Sequence, residues 1–135
     1  MIDIENELFT LIATELRATY DGIFVSGEYV SQPSRFPAVS FVEMDNSVYQ
    51  PGRDSSGIEN FANVMYQVDV YSNLNKGKKA QAKEIVNTID TQMAMHGFTR
   101  TFLNPIPNMD DATIYRITAR YQAVVGKDKV IYNRR

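Results

Sequence analysis

Phe61-Ala62-Asn63-Val64-Met65-Tyr66-Gln67-Val68-Asp69-Val70-Tyr71-Ser72 alternates along nearly its whole length. Ala62, Val64, Tyr66, Val68 and Val70 fall on one side, Asn63, Met65, Gln67 and Asp69 on the other. A two-residue period of this length is a strand with one covered and one largely polar face, as in an antiparallel sheet open on one side. A second stretch matches it. Thr113 to Val125 sets Tyr115, Ile117, Ala119, Tyr121, Ala123 and Val125 against Arg116, Thr118, Arg120 and Gln122. If the two strands are neighbours, Gln67 and Asp69 pair with Arg116 and Arg120, at roughly 0.2–1 kcal/mol per pair. The polar sheet face is then wet, or it meets another subunit.

Working outward, two helical periods flank the first of these strands. Ile4, Leu8, Leu11, Ile12 and Leu16 form a stripe that predicts a helix from about Ile4 to Thr19. Asp3 is placed as its N-cap, with Glu5 and Glu7 in the first turn where the helix dipole favours acids. Ala82, Ile85, Val86, Ile89 and Met93 predict a second helix, about Lys76 to Met95, with Gly97 as C-cap. Lys76, Lys78, Lys79 and Lys83 crowd its start against the dipole, so local stability does not explain them. Ile23 to Val30 and Phe36 to Met44 read as strands around the turn Ser31-Gln32-Pro33-Ser34-Arg35, hence as a hairpin. Phe98 to Leu103 is a short strand, and Pro105 and Pro107 after it suggest a sheet edge. The expected fold is α+β in the order α-β-β-β-α-β-β, a mainly antiparallel sheet of about five strands with both helices on one face. One domain over residues 1–135 is expected. Asp45 to Asn60 is expected to be a long loop, broken by Pro51-Gly52 and Ser55-Ser56-Gly57, and loops of that length are usually functional or disordered. Gly126 to Arg135 is expected to be a basic tail.

Composition removes several function classes. There is no cysteine and one histidine, His96, so thiolate sites and multi-histidine metal sites within one chain are excluded. No apolar run approaches the roughly 20 residues that span a bilayer, and Met1 to Glu5 lacks the basic and apolar regions of a signal peptide, so no membrane partner is expected. Net charge is −2, which does not call for nucleic acid. Its distribution is uneven: residues 1–75 carry eleven acids and three bases, residues 76–135 five acids and eleven bases. Either the fold separates an acidic from a basic surface, or the halves interleave and the charges mix.

Catalytic motifs are missing: GxSxG, the P-loop, GxGxxG and HExxH do not occur. His96 ends a predicted helix and reads as a dipole-compatible cap. Asp110-Asp111 reads as a turn, lacking the spaced oxygen ligands of a calcium loop. The expectation is therefore no catalytic residue, no metal and no cofactor.

Three segments carry a resemblance. Phe36-Pro37-Ala38-Val39-Ser40-Phe41-Val42-Glu43 is similar to an FP-x-V-x-(F/Y) strand, here followed by a polar insertion. Tyr66-Gln67-Val68-Asp69-Val70-Tyr71-Ser72-Asn73 resembles a Y-x-(V/I)-D-(V/I)-(F/Y)-(S/A) strand leading into a lysine-bearing helix. Ile114 to Val125 resembles a closing (Y/H)-R-x-x-(L/A)-R-(Y/F)-x-(A/G)-x-(V/I) strand. In combination they resemble the tail-terminator (tail-completion, head-to-tail joining) proteins of long-tailed bacteriophages. The resemblance implies a structural virion protein of the tail–head junction, assembled in the host cytoplasm. It implies a ring with copies of itself, commonly hexameric, seated on the tail tube protein and meeting a head-completion or connector protein, with DNA passing through the channel without sequence-specific binding. It makes Tyr49, Gln50, Pro51, Arg53, Asp54 and Ile58 of the loop interface candidates, with Lys127, Lys129, Tyr132, Arg134 and Arg135 of the tail. Gln67, Asp69, Arg116 and Arg120 would line an interface or the lumen. Two alternatives stay open: another neck adaptor bound to the portal, and a small ligand-binding or enzymatic domain with a cleft near Asp110, Asp111 and His96.

Overall fold

The computed structural model describes residues 1–30, 32–48, 61–107 and 111–132. Its elements run α1 (Glu5–Thr19), β1 (Phe24–Ser26), β2 (Ala38–Val48), β3 (Phe61–Ser72), α2 (Lys78–Met95), β4 (Thr99–Pro105), β5 (Tyr115–Gly126) and β6 (Ile131–Tyr132). The sheet order is β1-β2-β3-β5-β4, with β6 also on β5. All pairings are antiparallel except β1 with β2. The α+β fold with a mostly antiparallel sheet is thus as expected.

Alternation decides which face is covered. Ala62, Val64, Tyr66, Val68 and Val70 of β3 and Ile117, Ala119, Tyr121, Ala123 and Val125 of β5 pack against both helices. Their helical partners are Leu8, Ile12, Ala13 and Leu16 of α1 and Ala82, Ile85, Val86, Ile89 and Met93 of α2. Apolar side chains of this size each contribute about 1.5–3 kcal/mol when removed from water. The α2 stripe is as expected. In α1, however, Leu11 is exposed and lies outside the core. Gly97, at φ 88°, takes the left-handed position that ends α2.

Several boundaries differ from the sequence reading. The expected hairpin of the first two strands is instead a parallel pair, Phe24 to Ser26 against Ala38 to Ser40. β1 has only three residues, and its connection to β2 brings Tyr29 and Phe36 onto the helix-free face. Ser40 Oγ donates to Glu28 O at 2.9 Å, and Phe24 N donates to Pro37 O at 3.0 Å, which hold that connection down. Parallel neighbours need a crossover rather than a tight turn, and this connection supplies one. β2 runs on to Val48, so Asp45–Val48 is strand and not loop. The register slips between Glu43 and Asp45, and such a bulge turns Asn46 toward the helices, where its Nδ2 donates to Ile2 O at 2.7 Å. A broken two-residue period over polar residues looks like loop in sequence.

Asp3 does not cap α1 at the expected position. The cap is Ile4, and Asp3 Oδ1 accepts from Glu5 N at 3.0 Å just outside the helix. α2 starts at Lys78 rather than Lys76, after Gly77 at φ 83°. The last two long strands are shifted too, and Phe98 belongs to the core rather than to β4. Pro105 is inside β4, tolerated because that strand is an edge. Finally, residues 127–132 are not a free tail. Gly126 N donates to Val130 O and Lys129 N to Gly126 O, both at 2.8 Å, and β6 returns along β5.

Candidate assembly surface

The register places Gln67 opposite Arg120, Asp69 opposite Thr118 and Tyr71 opposite Arg116, all on the helix-free face. All four polar-face residues expected to pair do so. Arg116 Nε donates to Asp69 Oδ1 at 2.9 Å and its Nη2 lies at the same distance. Thr118 Oγ1 donates to the same oxygen at 2.5 Å. Gln67 Nε2 donates to Asp69 Oδ2 at 3.0 Å, and Arg120 Nε donates to Gln67 Oε1 at 3.0 Å. The result is a continuous chain, Arg120 to Gln67 to Asp69, with Arg116 and Thr118 closing on the carboxylate.

This face is not simply wet. Asp69 is 1% exposed, and Thr118 is buried with it. The Arg116 guanidinium stacks 5.5 Å from the Tyr29 ring and 5.8 Å from Tyr71, and Arg120 lies 5.0 Å over Phe102. Burial pulls the Arg116 guanidinium down, but the Asp69 carboxylate more than offsets this and holds it above its ordinary value. Ala38, Tyr71 and Ile114, with Phe24 and Phe36, form a second apolar cluster on the same side. So the end of the face carrying Asp69 is sealed by the β1–β2 connection, while Arg120, Gln67 and Gln122 remain partly or fully open. Sequence reasoning missed Tyr29, Tyr71, Phe102 and the role of Thr118. Thr118 was in view, two residues from Arg116 on one strand face. Tyr29 was hidden because its segment was read as strand.

The other expected site residues divide. Tyr49, Gln50, Pro51, Arg53, Asp54, Ile58, Arg134 and Arg135 lie outside the described residues, as does Asp110. Lys127 is exposed at the β5–β6 turn, and Tyr132 pairs through its backbone with Val124. Lys129 Nζ reaches Glu7 Oε1 of α1 at 3.0 Å, which draws the Glu7 carboxyl below its ordinary value. Both side chains are more than half exposed, so the pair adds little to stability. His96 is the cap of α2, its Nδ1 2.7 Å from Gln92 O. Asp111 Oδ1 accepts from Thr113 N at 2.9 Å and from Thr113 Oγ1 at 2.6 Å, the turn use read from sequence. Lys78, whose place the helix dipole opposes, donates to Thr113 O at 3.1 Å and so ties α2 to the start of β5.

The strand order also answers the charge question. β1, β2 and β3, from the acidic part of the chain, lie side by side, and the basic part supplies β5, β4 and β6 beside them. α1 packs over β2, and α2 over β3, β5 and β4. In the sheet order the halves do not interleave, although α2 of the basic half also covers β3 of the acidic half. No helix among the described residues is long and apolar enough to cross a membrane.

No curated protein matches the chain. A family model described as "Tail completion protein gp17" matches residues 7–126, which takes in every element from α1 to β5. The chain therefore belongs to the tail completion protein gp17 family and has a structural role in the bacteriophage tail, as a virion component that meets other proteins of the tail and head.

Proposed function

We propose that the chain forms a ring with copies of itself at the head-proximal end of the tail tube, ends tube growth, and joins tail to head around a channel for DNA. The observation that carries this reading is the strand order, with β1, β2 and β3 of the acidic half of the chain on one side of the sheet and β5, β4 and β6 of the basic half on the other. Unlike flanks on one subunit suit a head-to-tail contact between successive copies, and such contacts close into rings when the rotation allows. Six copies is the number the family resemblance implies. The open part of the polar face around Arg120 faces a neighbour or the lumen, residues 49–60 serve contact with a neighbouring ring or subunit, and the Lys127–Lys129 turn touches a neighbour. Catalysis has no part in this role.

Light scattering tests the contact. A discrete oligomer near six chains is expected at low salt, losing mass as salt screens the flanks. Complementation tests the role. A chain lacking residues 50–59, or cut after Gly126, is expected to leave heads and tails unjoined in electron micrographs. Joined particles with both variants would overturn the reading.

A further inference from the structure

The two sides of the sheet carry features that fit one another. On the acidic side, the bulge in β2 falls at Met44. Glu43 pairs with Tyr66 and Asp45 with Met65, so Met44 has no partner across the ladder. A bulge of this kind re-aims the side chain of the extra residue. Met44 is 50% exposed, and Val48 beyond it is exposed too. Glu43 and Asp45 flank it, and carboxylate oxygens of Asp3 and Glu5 lie within 4.8 Å of one of Glu43. This is an apolar knob set among acids.

On the basic side, α2 and the terminal strand β4 leave a groove of about 430 Å³ between them. Val86 lines its helical wall, Leu103 and Pro105 its strand wall, and Tyr115 and Ile117 of β5 its floor. Leu103 is 39% exposed there. An open apolar surface with a polar rim marks an interaction site. At one end of the rim Asp90 is engaged, accepting from Arg100 Nη1 at 3.1 Å and from the Tyr121 hydroxyl at 3.0 Å. Lys83 also lines the groove and lies two turns earlier on α2, so it stands at the other end. Neither its side chain nor that of Lys79, one turn before it, forms an ion pair among the described residues. The groove thus offers apolar surface beside uncompensated positive charge, the complement of the knob.

We propose that the α2–β4 groove of one copy receives Met44 of the next, with Lys83 and Lys79 facing the Glu43 and Asp45 carboxylates. The inference rests on the head-to-tail contact proposed above and names its two surfaces. Methionine suits the task, because its unbranched, flexible side chain fills irregular recesses. Opposite charge around the apolar centre steers the encounter and fixes its register. Knob and groove lie on opposite sides of the sheet, so two copies joined this way still have one knob and one groove to offer. Such a contact repeats until it closes on itself.

The test uses the full chain, which has no cysteine of its own. Met44→Cys and Leu103→Cys are introduced singly and together, and mild oxidation is followed by non-reducing electrophoresis and light scattering. A disulfide needs Cβ atoms about 3.5–4.5 Å apart. Expected is a ladder of linked chains from the double variant, linked pairs when the two single variants are mixed, and no linked species from either alone. Lys83→Glu raises the dissociation constant of the oligomer about tenfold or more, and adding Asp45→Lys restores it to within about threefold. All four positions are exposed, so the unfolding temperatures stay within about 3 °C of the wild type. An oligomer of unchanged mass without a disulfide between positions 44 and 103, or one indifferent to Lys83→Glu, overturns this inference and leaves the ring standing. A ladder that never closes supports the contact and counts against the ring. A chain monomeric at every salt concentration, with no linked species, sinks both.

Discussion

Asp69→Ala lowers the unfolding free energy by about 3–5 kcal/mol, the usual result of removing one partner of a buried ion pair. The carboxylate is all but inaccessible and accepts from Arg116, Thr118 and Gln67. Without it the Arg116 guanidinium, with a side chain only 15% exposed, stays behind with no countercharge, and Thr118 and Gln67 lose an acceptor. For a chain of this length the loss lowers the unfolding temperature by about 10–20 °C. Asp69→Asn keeps an acceptor and falls between the two. Asp69→Leu combined with Arg116→Met removes both charges and is expected to recover most of the loss, because buried pairs are often replaceable by apolar side chains. Urea unfolding of the wild type, Asp69→Leu, Arg116→Met and the double variant completes the cycle. A loss below about 1 kcal/mol in Asp69→Ala would show the carboxylate to be solvated, contrary to the burial described.

Phe41→Ala is expected to be as damaging, at about 3–5 kcal/mol, the range for emptying an aromatic site in a core. Phe41 is fully buried. Its ring stacks on Tyr66 at 5.2 Å between centroids and lies 6.4 Å from Phe9, while Tyr66 meets Phe98 edge-on at 5.8 Å. The ring therefore joins α1 to β2 and β3, and Tyr66 carries the contact on to the end of α2. Removing it opens a cavity between elements that cannot collapse without moving a helix. Phe41→Leu keeps most of the volume and is expected to lose less than half as much. Urea midpoints with an unchanged m-value check this, since an altered m-value would mean a change in the denatured or native ensemble.

Much of this was legible because long, regular periods leave little choice. β3 and β5 declare both of their faces, and α2 declares its stripe. From these the antiparallel seam, the pairing of Gln67 and Asp69 with Arg116 and Arg120, and the covered side all follow. Local pattern does not encode which partner a short strand selects, so β1 was assigned to the wrong kind of pair. It does not encode the bulge after Glu43 either, because one inserted residue inverts the apparent face of everything beyond it. The turn at Lys127–Lys129 was missed for a related reason. Asp128 Oδ1 accepts from Val130 N at 3.1 Å and shapes a hairpin that composition presents as a run of charge. The sealing of Asp69 depends on the β1–β2 connection, a long-range contact with no local signature.

The position of β3 has a consequence for synthesis. Its partner β5 is separated from it in sequence by α2 and β4, and the β3–β5 ladder joins residue 61 to residue 126. A nascent chain that has emerged only through Ser72 holds β1, β2 and β3 with the Asp69 carboxylate bare on one flank and no arginine to receive it. The central seam cannot close until the ribosome has delivered β5, and non-local pairing of this kind is slow to nucleate. Interrupted translation products are thereby left with an open sheet and an unneutralised acid, and the charge pair that rivets the two halves together also distinguishes a chain that has reached its last long strand from one that has not.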